Sequence, residues 1–230
     1  MNGKQVRLES SVFSQGIFKA LPEPEWRSAA GLPPPVVLDR KGTLYEEGAP
    51  ATHIYLLCSG LVKTFRSSED RVQIISIHGG GDVLGVDAVS GNRYRESAAA
   101  LMRTVAYRVP RDYFVSLVER HPEVSVNLIS RLNEEVDRIR TLLVDVGTKK
   151  ALPRVASCIL LFMDKQAGDG RSEPFNLPIS RQEMGAFLGL SPETVSRQLK
   201  GLVTTRVIRL DHRRLTILDV SQLRRIANAA

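Results

Sequence analysis

Residue patterning in this chain of 230 residues points to an α+β fold. An N-terminal antiparallel β-barrel or jelly roll leads into one long helix, and a winged helix-turn-helix follows. Three observations carry that expectation. Short β-prone runs alternate with glycine turns between Val36 and Val109. Apolar residues from Ile129 to Val146 keep a strict helical spacing. Two capped helical segments then flank Gly189.

The strand-like runs are Ile54–Leu57, Leu61–Phe65, Val72–Ile77 and Val105–Val109. Turn signals at Gly42, Gly48, Gly60, Gly79–Gly81 and Gly91 separate them, and no helix-length periodic segment intervenes to build a parallel sheet. Upstream, a short segment surrounds Trp26, and Pro33-Pro34-Pro35 interrupts any helix. Pro110 opens a short helix, Arg111–Arg120, that stops at His121-Pro122.

Ile129, Leu132, Val136, Ile139, Leu143 and Val146 follow one another at +3, +4, +3, +4, +3. That is an a/d seam, which favours a partner helix and predicts self-pairing into a homodimer. The competing account is an amphipathic helix packed on its own domain, which usually carries a wider apolar stripe. Gly147 is expected to end this helix, with Thr148 capping the next over 149–165 and residues 144–148 acting as a hinge. Gly168-Asp169-Gly170 reads as a loop. The expected domains are thus a β-barrel domain at 1–122, a dimerisation helix at 123–147 and a winged helix-turn-helix domain at 148–230.

Charge divides the same way. Residues 1–147 hold 18 basic and 18 acidic side chains, whereas residues 148–230 hold 14 and 7, so the whole net charge of +7 lies in the last third. A basic back domain suits a polyanion. The N-terminus has no signal-peptide core and no run reaches the length of a membrane span, so a cytoplasmic location without a membrane partner is expected. Cys58 and Cys158 are too few for a disulfide scaffold and read as small buried hydrophobes, with oxidation sensing as the minority reading.

In the basic domain, Ser180 and Glu183 form a capping box. Gly185 is small where two helices cross, Gly189 permits the turn, Ser191 caps the second helix with Pro192 behind it, and Val195 plugs the gap. The second helix presents Glu193, Ser196 and Arg197 on one face. In a major groove Arg can grip guanine bidentately, Glu can accept from cytosine, and Ser can meet several base edges. The opposing account is an exposed salt-bridging face. Ser191, Thr194, Arg181 and Lys200 are candidate backbone contacts. Residues Val207–Ile217 read as a hairpin wing, where Arg206, Arg209, Arg213 and Arg214 suit phosphates, Arg213 and Arg214 foremost.

This arrangement resembles the CRP/FNR family of bacterial transcription regulators over nearly the whole chain. The residues that carry the likeness are His53–Lys63 with its Ser59-Gly60 turn, Gly81–Val89, and Glu193-Thr194-Val195-Ser196-Arg197. The last two resemble the FNR/FixK-like branch. The resemblance implies double-stranded DNA as partner, a TTGA-type half-site in a palindrome, and RNA polymerase as a further partner. It also places an effector pocket at Gly85, Val86, Glu96 and Ser97.

Departures from the family pattern bear on the signal. Where the cyclic-AMP branch has a Glu for the ribose and an Arg for the phosphate, this chain has Val86 and Glu96, so cyclic AMP is not the expected ligand. A one-residue slip would bring in Arg95 instead. Residues 1–50 contain no cysteine, so the iron–sulfur ligands of the FNR branch are missing. Haem would draw on His53, His78 or His121, none singled out by spacing, and no metal site is expected. The effector is unassigned. His78-Gly79-Gly80-Gly81 lacks the Gly-x-Ser-x-Gly elbow of a hydrolase and reads as a turn, so no catalysis is expected. The alternative function is a small-molecule sensor whose basic domain binds nucleic acid non-specifically or contacts a partner protein.

Overall fold

The computed structural model describes residue 17 and residues 34–69, 71–166 and 174–229. The expectations for the Trp26 segment and the Gly168-Asp169-Gly170 loop lie outside these residues. The chain divides into two compact units, Met1–Asp70 with Ile75–Asp137, and Arg71–Ile74 with Arg138–Ala230.

The short glycine-bounded runs become β1 (Val36–Leu38), β2 (Thr43–Tyr45), β3 (His53–Ser59), β4 (Val62–Ser68), β5 (Arg71–His78), β6 (Val83–Leu84), β7 (Ser97–Ala100) and β8 (Thr104–Pro110), all in the first unit except the Arg71–Ile74 half of β5. They form two four-stranded sheets, ordered β1-β8-β3-β6 and β2-β7-β4-β5. β8 pairs antiparallel with β1 and β3, and β7 pairs antiparallel with β2 and β4. This is the expected antiparallel β domain. Ile54–Leu57 is buried along its whole length, so β3 is covered on both faces, one of them by helix α2 (Arg111–Arg120). A one-turn helix, α1 (Asp87–Ser90), interrupts the strands. Gly79–Gly81 is a turn, as expected, closed by the Gly79 N–H donating to Asp82 Oδ2 at 2.9 Å.

Helix α3 runs from Pro122 to Thr148. Val124 is buried, and Leu128, Arg131 and Glu135 are half-buried against their own unit. The apolar stripe turns the other way. Ile129 is 58% exposed and Leu143 72%, and Leu132, Val136 and Ile139 are also exposed. Val126 extends the exposed stripe by one turn.

The helix end differs from expectation. α3 ends at Thr148, one residue beyond Gly147, and Thr148 belongs to it and does not cap the next helix, which starts at Ala151. The Thr148 hydroxyl instead donates back to the Val144 carbonyl at 2.8 Å, and the Lys149 N–H reaches the Asp145 carbonyl at 3.0 Å. An exposed helical glycine lowers stability modestly without breaking the hydrogen-bond ladder.

In the second unit, α4 (Ala151–Gln166) buries Val155, Ile159, Phe162 and Met163 on one side, with Pro153 harmless in the first turn. It packs against α5 (Arg181–Leu188), α6 (Pro192–Thr204) and α7 (Val220–Ala227). The wing contains β9 (Phe175–Asn176), β10 (Ile208–Asp211) and β11 (Arg214–Ile217), ordered β10-β11-β9. Its alternation is clear in β11, where Leu215 and Ile217 are buried and Arg214 is exposed.

Candidate nucleic-acid interface

The reading helix is held from both ends of the turn before it. Ser180 Oγ accepts from the Glu183 N–H at 3.1 Å, and Glu183 Oε2 accepts from the Ser180 N–H at 2.9 Å, so the capping box is complete. Gly189 ends α5 in the left-handed region at φ 65°. Ser191 then caps α6 by accepting from the Thr194 N–H at 3.2 Å. Val195, Leu199 and Leu202 bury the inner face of α6.

That burial leaves Glu193, Ser196, Arg197 and Lys200 exposed together on the outer face, as their spacing requires. Ser191 is exposed at the helix start, while Thr194 and Arg181 are half-buried. The Glu193 carboxyl is held below the usual carboxylate range by its own backbone N–H and then by the Ser191 hydroxyl. It is anionic at neutral pH and can accept from a base.

The basic residues behave in two ways. Arg206, Arg209 and Arg214 are exposed. Arg213 is not the open phosphate contact that its position at the hairpin tip led us to expect. It is half-buried, and its Nε donates to the Leu177 carbonyl at 3.2 Å, tying the tip to the segment after β9. His212 takes a positive φ of 50° at the turn, and the two-residue loop between Asp211 and Arg214 turns Arg213 inward.

Arg154 is a structural residue that charge counting passes over. Its Nη1 donates to the Leu188 carbonyl at 3.2 Å and its Nε to the Lys149 carbonyl at 2.8 Å. One guanidinium thereby joins the start of α4 to the end of α5. Val146, the last residue of the expected seam, is half-buried near Gly189 within its own unit.

In the β domain, the residues matching the effector pocket surround an aromatic cluster. The Tyr45 and Tyr94 rings stack at 4.1 Å, and Tyr55 lies 5.5 Å from Tyr45. The Tyr94 hydroxyl donates to the His53 carbonyl at 2.7 Å, and the Tyr45 hydroxyl bonds the Gly85 backbone. A backbone amide that could serve a phosphate is therefore met by a phenol. Burial, then the nearby Glu96 and Asp87 carboxylates, pushes the Tyr45 phenol up.

Val86 sits half-buried at the start of α1, and the Ser97 Oγ accepts from the Glu47 N–H at 2.9 Å. The Glu96 carboxyl is pushed up to about 7, first by burial, then by Asp87 and Glu135, against the Thr64 hydrogen bond and the Arg66 charge. Arg95 does not slip into the pocket. Its side chain is 79% exposed and lies 3.8 Å from Asp87. This constellation disfavours an anionic ligand.

Other candidates resolve simply. His53 Nδ1 meets Thr52 Oγ1 at 2.8 Å, His78 Nε2 lies 3.4 Å from Thr64 Oγ1, and His121 Nδ1 lies 3.3 Å from Glu123. Cys158 is buried, which pushes its thiol up, whereas Cys58 is only half-buried and so less enclosed than expected. Among the described residues, no cluster of His, Cys, Asp or Glu could hold a metal ion, and no helix is long and apolar enough to cross a membrane.

Residues 35–121 match the cyclic nucleotide-binding domain family, and residues 153–226 match the Crp-like helix-turn-helix domain family. The nitrogen fixation regulation protein FixK of Azorhizobium caulinodans is 33% identical over 202 residues, covering 86% of this chain and 80% of that protein. The transcriptional regulatory protein Btr of Bordetella pertussis is 29% identical over 195 residues, covering 83% of this chain and 80% of its own. The solved structure of FixK2 from Bradyrhizobium japonicum aligns with a TM-score of 0.75 at 29% identity, over 85% of this chain and 98% of that one. These relatives are regulators rather than enzymes.

Proposed function

Because the chain belongs to the CRP/FNR family of transcription regulators, with a DNA-binding helix-turn-helix, we propose that it acts as a homodimer on a TTGA-N6-TCAA-like palindrome. The observation that carries this reading is the outer face of α6, where Glu193, Ser196 and Arg197 stand exposed over a helix anchored by Val195. Arg197 takes guanine, Glu193 accepts from cytosine, and Ser196 meets the neighbouring edge. Lys200, Arg206, Arg209 and Arg214 supply phosphate contacts beside them, with Arg181 at the start of α5.

Pairing of two copies along Ile129, Leu132, Val136, Ile139 and Leu143 removes an apolar stripe from water. It also sets two reading helices about one helical turn, ~34 Å, apart, in successive major grooves. The β domain then senses an effector or a redox signal that changes how the pair presents those helices. RNA polymerase is the second macromolecule such a regulator meets at a promoter, in the cytoplasm where both reside.

A competition binding assay on the full chain tests the specific reading. The palindrome should outcompete a scrambled duplex by on the order of 1,000-fold or more at physiological salt. Equal competition would instead support a sensor whose basic domain binds nucleic acid without regard to sequence.

A further inference from the structure

Glu193 and Arg197 stand one helical turn apart, and two hydroxyl groups lie between them. Arg197 Nη2 donates to Thr194 Oγ1 at 3.5 Å. The Ser191 hydroxyl donates to Thr194 Oγ1 at 3.1 Å. Ser191 Oγ also accepts from the Thr194 N–H at 3.2 Å. Thr194 Oγ1 thus accepts from Arg197 on one side and from Ser191 on the other.

The two charged side chains are free to move, but Thr194 is not. Arg197 and Glu193 are exposed, long and rotamer-rich, so an unrestrained guanidinium would lose conformational freedom on gripping a base. Thr194 is β-branched, half-buried and in the first turn of the helix, where its own backbone N–H is bound to the cap. It is the one fixed point within reach of the guanidinium among these four. Its hydroxyl oxygen already faces Ser191 and Arg197.

We propose that Thr194 is a positioning residue, whose hydroxyl, seated on Ser191, holds the Arg197 guanidinium in the orientation that reads guanine. Thr194 then contributes to discrimination between sequences. This rests on the assignment of Arg197 as a base reader above.

The test uses the full-length protein with three duplexes: the TTGA-N6-TCAA palindrome, the same duplex with its guanines replaced, and a scrambled one. Thr194→Val keeps the shape and the capping N–H but removes the hydroxyl. It should reduce discrimination between the first two duplexes by about 3- to 10-fold, the worth of one hydrogen bond. Any fall in binding to the scrambled duplex should be smaller than the fall on the palindrome, and the salt dependence should stay as in the parent protein, because no charge is removed. Thr194→Ser should restore discrimination. In the Arg197→Ala background, Thr194→Val should cause no further loss, because the group it positions has gone. A merely structural role would add its effect in both backgrounds.

Uniform weakening on all three duplexes, or full discrimination by Thr194→Val, would overturn the positioning role. If Arg197→Ala itself leaves discrimination intact, the base-reading assignment fails and the positioning role falls with it. Loss in Arg197→Ala without loss in Thr194→Val removes the positioning role alone.

Discussion

Gly185 and Leu190 meet backbone to backbone: the Leu190 N–H donates to the Gly185 carbonyl at 3.0 Å, and a Cβ on Gly185 would run into the Leu190 carbonyl oxygen. Leu190 sits in the turn between α5 and α6, so this contact sets how closely the turn folds back on the first helix. Gly185→Ala should therefore destabilise the C-terminal unit by about 1–3 kcal/mol, as an overpacked site with backbone on the far side. Urea unfolding read by circular dichroism measures it. An unchanged midpoint would mean that the turn can relax around a methyl group.

The exposed seam on α3 leads to a different kind of prediction. Ile129 and Leu143 lie on the open side of the helix, so neither is deeply packed in its own chain. Ile129→Glu and Leu143→Glu should leave the unfolding midpoint of a dilute chain nearly unchanged while placing a charge in the pairing surface. Sedimentation equilibrium should give monomer for both variants and dimer for the parent, and palindrome binding should fall with the dimer. A dimer of undiminished strength in both variants would place the interface elsewhere.

Glu96 makes stability depend on pH. Burial, then Asp87 and Glu135, raises its carboxyl to about 7, above the ordinary glutamate range. The folded chain therefore binds this proton more tightly than the unfolded chain, and its contribution is full at acid pH. It is lost as pH rises through about 7. Glu96→Gln keeps the neutral form at every pH. Parent and variant should thus have similar stability near about pH 5, with the parent falling behind by about pH 8. A difference that stays constant, or one that opens toward acid, contradicts the carboxyl's raised affinity for its proton.

What the residue pattern reveals here depends on the range of the interaction concerned. The capping box of Ser180 and Glu183, the turn at Gly189 and the cap at Ser191 are all completed within a few residues, so they can be read directly. The apolar stripe from Ile129 to Leu143 is legible for the same reason. Its last expected member, Val146, has the right spacing but is half-buried near Gly189, a neighbour some forty residues on in the chain. Spacing cannot encode that. The Tyr45–Tyr94 stack and the two-residue strand Phe175–Asn176 arise from strand pairing across the fold, and neither has a local signature. Gly147 is a local signal that marks the helix end to within one residue, since α3 stops at Thr148.

Arg213 and Arg214 are adjacent and carry the same charge, and their placement separates them. Arg214 is exposed on β11, whereas Arg213 is half-buried with its Nε on the Leu177 carbonyl. A phosphate contact releases a counterion, so Arg214→Ala should lower the slope of log affinity against log salt by about 1 per contact and weaken all duplexes alike. Arg213→Ala should instead leave the slope near that of the parent and lower the unfolding midpoint, because it removes a bond that ties the wing together, worth about 0.5–1.5 kcal/mol. Titrations at several salt concentrations, run beside thermal melts, separate the two effects. A slope change confined to Arg213→Ala would reverse the assignment and put that guanidinium on the DNA.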